Sequence, residues 1–226
     1  REIQDTWEEI FAAEADGSYK TKYTIGDYKP LDLGVEGVIN MQIAAFNMDY
    51  LSDGSGTAPI TWIGKELLAT KRRMNPALVT NSDGAYQEGT GTIGGFIKTE
   101  LYTYLTETIK PLLPLSIRNN VKEIKKIDSY YEVNGEDLRG TFNMDIWTVS
   151  YDDILPFYAT YAKLFPSNES RIKHIVNGET CNWKLRDKCS TNKFECISDT
   201  GGRLYKNGVY GEDASVASGI CICFCT

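Results

Sequence analysis

The sequence predicts an α+β domain. Capped and amphipathic helical segments lie early in the chain, short irregular strands crowd its end, and the composition is globular, 42% hydrophobic and 24% charged over 226 residues. At that length one large domain or two small ones can bury a core. No long Pro- or Ser-rich linker and no repeat period divides the chain.

Taken in order, Thr6-Trp7-Glu8-Glu9 is a capping-box pattern ahead of Ile10-Phe11-Ala12-Ala13, which predicts a short helix ending near Gly17. Val38 to Phe46 alternates as a strand does. A turn at Asp53-Gly54-Ser55-Gly56 then leads to a second strand at Ile60 to Ile63. Ile97, Leu101, Tyr104, Leu105 and Ile109 recur at helical spacing, and Pro111 should stop that helix. Ile146-Trp147-Thr148-Val149 reads as a buried strand. Ser150 to Asp153 caps a helix running toward Phe165, with Pro166 beyond it. The Gly-, Asn- and Ser-rich tail holds short strands at Phe194 to Ile197 and Ile220 to Phe224.

Charge narrows the function. With 31 acidic against 24 basic side chains the net charge is −7 and the pI about 4.9, which disfavours nucleic acid and anionic membrane surfaces as partners. No apolar run approaches the roughly 20 residues of a membrane span, and Arg1-Glu2-Ile3-Gln4-Asp5 carries no signal-peptide core. All six cysteines fall in residues 181–226, a stretch with six basic and five acidic residues, so the acidic excess belongs to the first 180 residues.

Several chemistries can be weighed on spacing. Gly89-Thr90-Gly91-Thr92-Ile93-Gly94 spells GxGxxG, but it follows the loop Asn81 to Tyr86 and opens no βαβ unit. It reads as a glycine loop before a helix rather than a dinucleotide site. The single histidine, His174, excludes multi-histidine metal centres and reads as a surface or packing residue. Glu8-Glu9, Glu136-Asp137 and Asp152-Asp153 are adjacent in sequence, so each pair diverges and reads as solvated surface. Asn47, Asp49 and Asp53 lack the later glutamate of a calcium loop and read as a tight turn. In Cys221-Ile222-Cys223-Phe224-Cys225 the three thiols share one face of a strand and Ile220, Ile222 and Phe224 the other, core-facing one. No CxxC pair accompanies them, and six cysteines allow 15 disulfide pairings among which the sequence does not choose.

The order of landmarks along nearly the whole chain resembles an uncharacterised family abundant in gut bacteria and their prophages. In the tail these are Trp183-Lys184-Leu185-Arg186, Phe194, Ile197, Gly202 and Gly219 to Phe224. Ahead of it stand Trp7-Glu8-Glu9-Ile10, Tyr23-Thr24-Ile25-Gly26-Asp27, Asp53-Gly54-Ser55-Gly56 and Ile60-Thr61-Trp62-Ile63. Arg73-Met74-Asn75, Gly91-Thr92-Ile93-Gly94-Gly95 and Ile146-Trp147 complete the set. The sequence departs from the family pattern at Lys184, which separates Trp183 from Leu185, at Phe96 in place of tryptophan, and at Cys221-Ile222-Cys223 in place of x-Pro-x. The stretch from Gly202 to Gly219 is also longer than usual.

The resemblance implies a single C-type-lectin-like domain, with N- and C-terminal strands in one sheet and a loop-rich C-terminal region. Residues 1–35 would be the N-terminal helix and lead-in, 36–180 the scaffold, and 181–226 a variable ligand-binding region. Val38 to Phe46 should then lie near Ile220 to Phe224. Trp62, Trp147, Trp183 and Leu185 should be buried, and Arg186 should brace loops by hydrogen bonds. The calcium-dependent sugar motifs Glu-Pro-Asn and Gln-Pro-Asp are absent.

Some lectin-like phage and bacterial proteins are diversified by retroelements that mutate template adenines, which turns Asn codons into Asp, Ser, Tyr, Cys, Thr, Gly or His. The tail residues in that reachable set form the expected ligand-binding site: Asn182, Asp187, Cys189, Ser190, Asn192, Asp199, Tyr205, Asn207, Tyr210, Asp213 and Ser215. Lys184, Lys188, Lys193, Glu195 and Lys206 would be fixed, and Cys221 and Cys223 would be chance products at exposed sites. The function expected on this footing is non-enzymatic recognition of a protein or cell-surface receptor, without cofactor, on a phage virion or bacterial surface. The alternatives are an enzyme like the formylglycine-generating oxidases, using the C-terminal cysteines with copper, and a purely structural virion or surface protein.

Overall fold

The computed structural model describes residues 1–154, 160–176, 178–203 and 211–226. The chain opens with α1 (Trp7–Asp16), whose cap is the expected one: Thr6 Oγ1 accepts from Glu9 N, the Glu9 carboxylate accepts from Thr6 N, and Gly17 closes the helix at φ 80°. After the single turn α2 (Tyr19–Lys22) come β1 (Tyr28–Asp32), β2 (Val38–Phe46) and β3 (Ile60–Gly64). These three pair antiparallel in order, and β9 (Cys223–Cys225) adds to β3 through Thr61 with Cys225, Trp62 with Phe224, and Ile63 with Cys223. Strands from near both ends of the chain therefore share one sheet, with β3 between β2 and β9. The sequence shows no strand at β1, where Pro30 pairs with Asn40; it survives because β1 lies at the end of the strand order.

The helix expected around Ile97 to Ile109 forms from Glu100 to Leu112 without a break, but it passes through a π segment. A 3₁₀ turn (Phe96–Lys98) precedes α3 (Glu100–Tyr104), a π turn (Leu105–Ile109) and α4 (Lys110–Leu112). Pro111, which has no N–H to donate, follows directly on the π segment, and the helix ends one residue beyond it at Leu112. The turn α5 (Leu115–Arg118) leads to a hairpin of β4 (Ile124–Tyr131) and β5 (Asp137–Met144). Ile146 to Val149 is buried as expected, but it is not a strand. Only Trp147 forms a bridge, exchanging both backbone hydrogen bonds with Cys223 at 3.0 and 2.8 Å.

Ser150 and Asp153 cap α6 (Tyr151–Ile154) reciprocally, Ser150 N donating to the Asp153 carboxylate and Asp153 N to Ser150 Oγ. The remainder of the expected helix falls partly at 155–159, outside the described residues. The tail folds into a third antiparallel sheet, in the order β6 (Trp183–Ser190), β7 (Lys193–Ile197), β8 (Glu212–Asp213). Together the three sheets and short helices make an α+β architecture. No helix among the described residues is long and apolar enough to cross a membrane.

One hydrophobic cluster runs from Ile3 to Cys225, and Trp62, Trp147, Trp183 and Leu185 are wholly buried in it. Two expectations for the tail fail here. Cys221, Cys223 and Cys225 are fully buried, as are Ile220, Ile222 and Phe224, so the thiols are not at exposed sites. β9 is paired with β3 and also with Trp147 and Lys122, and the side chains of both its faces belong to the hydrophobic cluster, which leaves it no solvent face. Nor is the tail a solvent-facing patch as a whole, because Trp183 to Arg186, Phe194 to Ser198 and Ser218 to Thr226 are packed inside.

Candidate functional site

Asn47, which follows β2, has φ of 51° and is the one non-glycine residue with positive φ among the described residues. Asparagine tolerates that region better than most side chains, and Asn47 is held there by Tyr19, whose hydroxyl donates to Oδ1 at 2.5 Å. The segment beyond it alternates. Met48 and Tyr50 are 45% and 69% exposed, whereas Asp49 between them turns inward and is 5% exposed. Asp49 is thus part of the interior, not the surface turn its spacing with Asn47 and Asp53 implies.

Inside, Lys126 Nζ donates to Asp49 Oδ1 at 2.6 Å and to Tyr161 Oη at 2.6 Å, and lies 3.5 Å from Asp153 Oδ1. Tyr161 Oη donates to Asp49, Thr61 Oγ1 donates to the same carboxylate, and Arg186 Nη1 donates to Asp153 Oδ2 at 2.7 Å and to Thr148 O at 2.9 Å. Arg186 is therefore the hydrogen-bonding brace expected of it. Asp153 is 4% exposed, against its expected place on solvated surface, while its neighbour Asp152 stays outside and pairs with Arg139 at 2.7 Å.

Two cations and two carboxylates make the cluster neutral, which is how buried charge is tolerated. Burial alone would raise the Asp153 carboxyl, but Arg186 and Lys126 hold it well below the usual carboxylate range. Burial likewise works against charged Lys126, and Asp153 and Asp49 overcome it, keeping the ammonium above its ordinary value.

Two further carboxylates flank Arg186 under opposite control. Burial pushes Asp128 up to about 7 and Asp187 up to about 6, against the pull of Arg186. Asp128 accepts from Phe96 N at 2.7 Å, a contact that Gly95 permits: at φ 75° any side chain there would be strained, and its Cβ would lie 2.9 Å from the Asp128 carboxylate.

Groups whose pKa rises on folding bind protons that the unfolded chain releases. Their stabilisation is complete below the ordinary carboxylate range and is lost as pH rises through about 6 to 7. Urea unfolding should therefore show greater stability near pH 5.5 than at pH 8. Asp128→Asn should flatten that slope, which can reach about 1.4 kcal/mol per pH unit for one group. Below the ordinary carboxylate range Asp153 reverses the trend, since its lowered pKa contributes stability only above it.

The expected ligand-binding residues separate into groups, all half-buried where described. Ser190, Asn192, Asp213 and Ser215 come together. Ser190 Oγ donates to Asn192 Oδ1 at 2.9 Å, Asn192 Nδ2 to Asp213 Oδ2 at 3.2 Å, and Ser215 N and Oγ to Asp213 Oδ1 at 2.9 and 2.6 Å. The glycine loop buttresses this patch from beneath: Thr92 N donates to Thr191 O and Thr92 Oγ1 to Ser190 O, both at 2.9 Å. A Cβ on Gly91 would lie 2.4 Å from Thr191 O, so the approach requires glycine and gives the GxGxxG string its structural purpose.

Asn182 and Asp199 stand apart, joined by Asp199 N donating to Asn182 Oδ1 at 2.9 Å. Asp187 accepts from Tyr151 N, and Cys189 Sγ donates to Lys193 O at 3.5 Å, its thiol pushed up to about 11 by burial. Tyr205, Asn207 and Tyr210, with Lys206, lie outside the described residues. His174 is exposed, as expected of a surface histidine.

What the sequence does not reveal is a cleft of about 320 Å³ above the ion cluster. Met48, Tyr50, Lys125, Ile127 and Arg139 line it, and Asp49, Lys126, Asp153 and Arg186 lie at its base. Tyr50, Met48 and Ile127 (51% exposed) are three of the nine large apolar side chains exposed among the described residues. The only sequence signal for them is two apolar residues flanking an aspartate, which is too common to single out.

Comparison of the chain with protein-family models, with curated proteins and with solved structures finds no match.

Proposed function

We propose that the chain is a non-enzymatic binding or display protein of C-type-lectin-like build, which recognises a protein or cell-surface receptor from a phage virion or bacterial surface. The observation that carries this reading is the patch of Ser190, Asn192, Asp213 and Ser215. Residues from separate parts of the tail form one connected, half-exposed polar surface on a turn braced by the glycine loop. Beneath it, Trp183, Leu185, Phe194 and Ile197 are wholly buried, so the patch rests on a rigid base. Recognition residues on turns held by a packed scaffold can change without disturbing the core. The shared sheet of β1 to β3 with β9 supports the lectin-like build.

Tyr205 and Tyr210, which lie outside the described residues, are the aromatic anchors this reading takes from the sequence, because tyrosine offers contact area at low entropic cost and keeps a polar tip. The test is binding of the fluorescently labelled full chain to a panel of intact gut bacteria, read by flow cytometry. Staining of a subset of strains is expected, with about tenfold weaker staining by the Tyr205→Ala/Tyr210→Ala double variant. Unchanged staining by that variant removes the C-terminal site. Absence of an adenine-biased near-copy of the DNA encoding residues 181–226, beside a reverse transcriptase gene, removes diversification.

A further inference from the structure

The cleft over the ion cluster does not end at Met48. A second cleft of about 340 Å³, lined by Ile25, Ala44, Ala45, Phe46, Ala162 and Lys163, shares Met48 and Thr160 with the first. The two form a continuous groove, apolar where Phe46 and Met48 line it and mixed apolar and charged over the ion cluster, and Arg186 is the one described lining residue that belongs to 181–226. Its charge runs against that of the molecule. The lining holds five cationic side chains (Lys125, Lys126, Arg139, Lys163, Arg186) and three anionic ones (Asp49, Asp152, Asp153), on a chain of net charge −7. Lys126, Arg186, Asp49 and Asp153 neutralise one another in the interior, and Arg139 pairs with Asp152. Lys125 and Lys163 remain, both exposed and without an ion pair among the described residues. At the base, Nε of Arg186 is buried with no hydrogen-bond partner among the described residues.

We propose that this groove docks an extended segment of a partner protein that combines apolar and acidic side chains. An elongated shape formed by two joined clefts suits an extended chain. Met48, Tyr50, Ile127 and Phe46 offer aliphatic, thioether and aromatic surface to apolar side chains, methionine adapting to varied shapes. Lys125 and Lys163 draw carboxylates, chiefly through the rate of association. Sugar rings are a poorer fit, since the planar polar side chains of the lining that hydroxyls would need are already paired with one another, Arg139 with Asp152 and Arg186 with Asp153. The positive φ at Asn47 is what sets Met48 and Tyr50 outward while Asp49 anchors them, so the rim is held rigid before any partner arrives.

A library of random linear peptides displayed on phage, panned against the immobilised full chain, tests this directly. Enrichment of sequences mixing Asp or Glu with apolar residues is expected. A synthetic peptide of the enriched sequence should then shift the Met48 methyl resonance in methyl-labelled protein. Tyr50→Ala and Ile127→Asp should each weaken that peptide by about tenfold, and Lys125→Glu by less, with the lysine effect shrinking at high salt. These side chains are exposed, so the variants keep the parent melting temperature. Tyr205→Ala/Tyr210→Ala should leave peptide affinity unchanged, which separates this groove from the C-terminal surface. Enrichment of basic or uncharged peptides, no enrichment, an unmoved Met48 resonance, or equal affinity for oligogalacturonate as an acidic glycan would each overturn the proposal.

Discussion

Lys126→Ala is expected to destabilise the protein by about 3–5 kcal/mol, the cost typical of removing one partner from a buried ion pair. The ammonium is the common donor to Asp49 and Tyr161, it neighbours Asp153, and it stands 5.1 and 5.0 Å from the ring centroids of Trp147 and Tyr161. Without it Asp49 keeps only the hydroxyls of Thr61 and Tyr161 and the weak contact from Cys225, and two buried carboxylates face one cation, Arg186. A loss on that scale is a large share of the roughly 5–15 kcal/mol that holds a domain folded.

Shift of the urea midpoint at pH 7 measures it. The double change Lys126→Met with Asp49→Leu should recover much of the loss, because an apolar pair needs no compensation. As a contrast, Arg73 pairs with Glu100 at 2.8 Å with both side chains 45% exposed, and Arg73→Ala should cost no more than about 1 kcal/mol. If Lys126→Ala proved as mild, the cluster would have to be hydrated and its place in the interior wrong.

That cluster also explains why parts of the fold were hard to read. In β4 the buried positions are Ile124, Lys126 and Asp128, while Ile127 faces solvent, so the charged residues point inward and the apolar pattern carries the wrong phase. The same holds for β6, where Lys184 and Arg186 are as buried as Trp183 and Leu185. Lys184 Nζ ends on the carbonyls of Asp213 and Val216 at 2.6 Å each, and no alternation is left to find. Where polar residues did face outward, the reading was direct. The Thr6 and Glu9 box and the alternation of β2 each appear where their residues place them. Asp49 and Asp153 were misplaced for one physical reason: a carboxylate's burial depends on a distant cation, Lys126 or Arg186, and neither local spacing nor propensity records it.

Trp62→Ala should cost a similar amount, about 3–5 kcal/mol, through a cavity at the junction of the chain's two ends. Trp62 is wholly buried on β3, faces Phe224 of β9 across the ladder, and meets Trp7 of α1 edge-on at 5.1 Å between ring centroids. Its Nε1 donates to Thr226 Oγ1 at 2.8 Å, and that hydroxyl donates to Glu14 of α1 at 2.6 Å. One indole thus fastens helix, sheet and final strand. Its loss should loosen α1 as well as the core, so that limited proteolysis cuts the variant within residues 1–35 faster than the parent under native conditions. Thr226→Val removes only the hydroxyl and should cost about 1–3 kcal/mol, the range for leaving a buried donor unpaired. The two losses should not add, since both act on the same contact. Cleavage confined to other segments, or a Trp62→Ala penalty below that of Thr226→Val, would mean that α1 is held elsewhere and that the indole fills space without joining the ends.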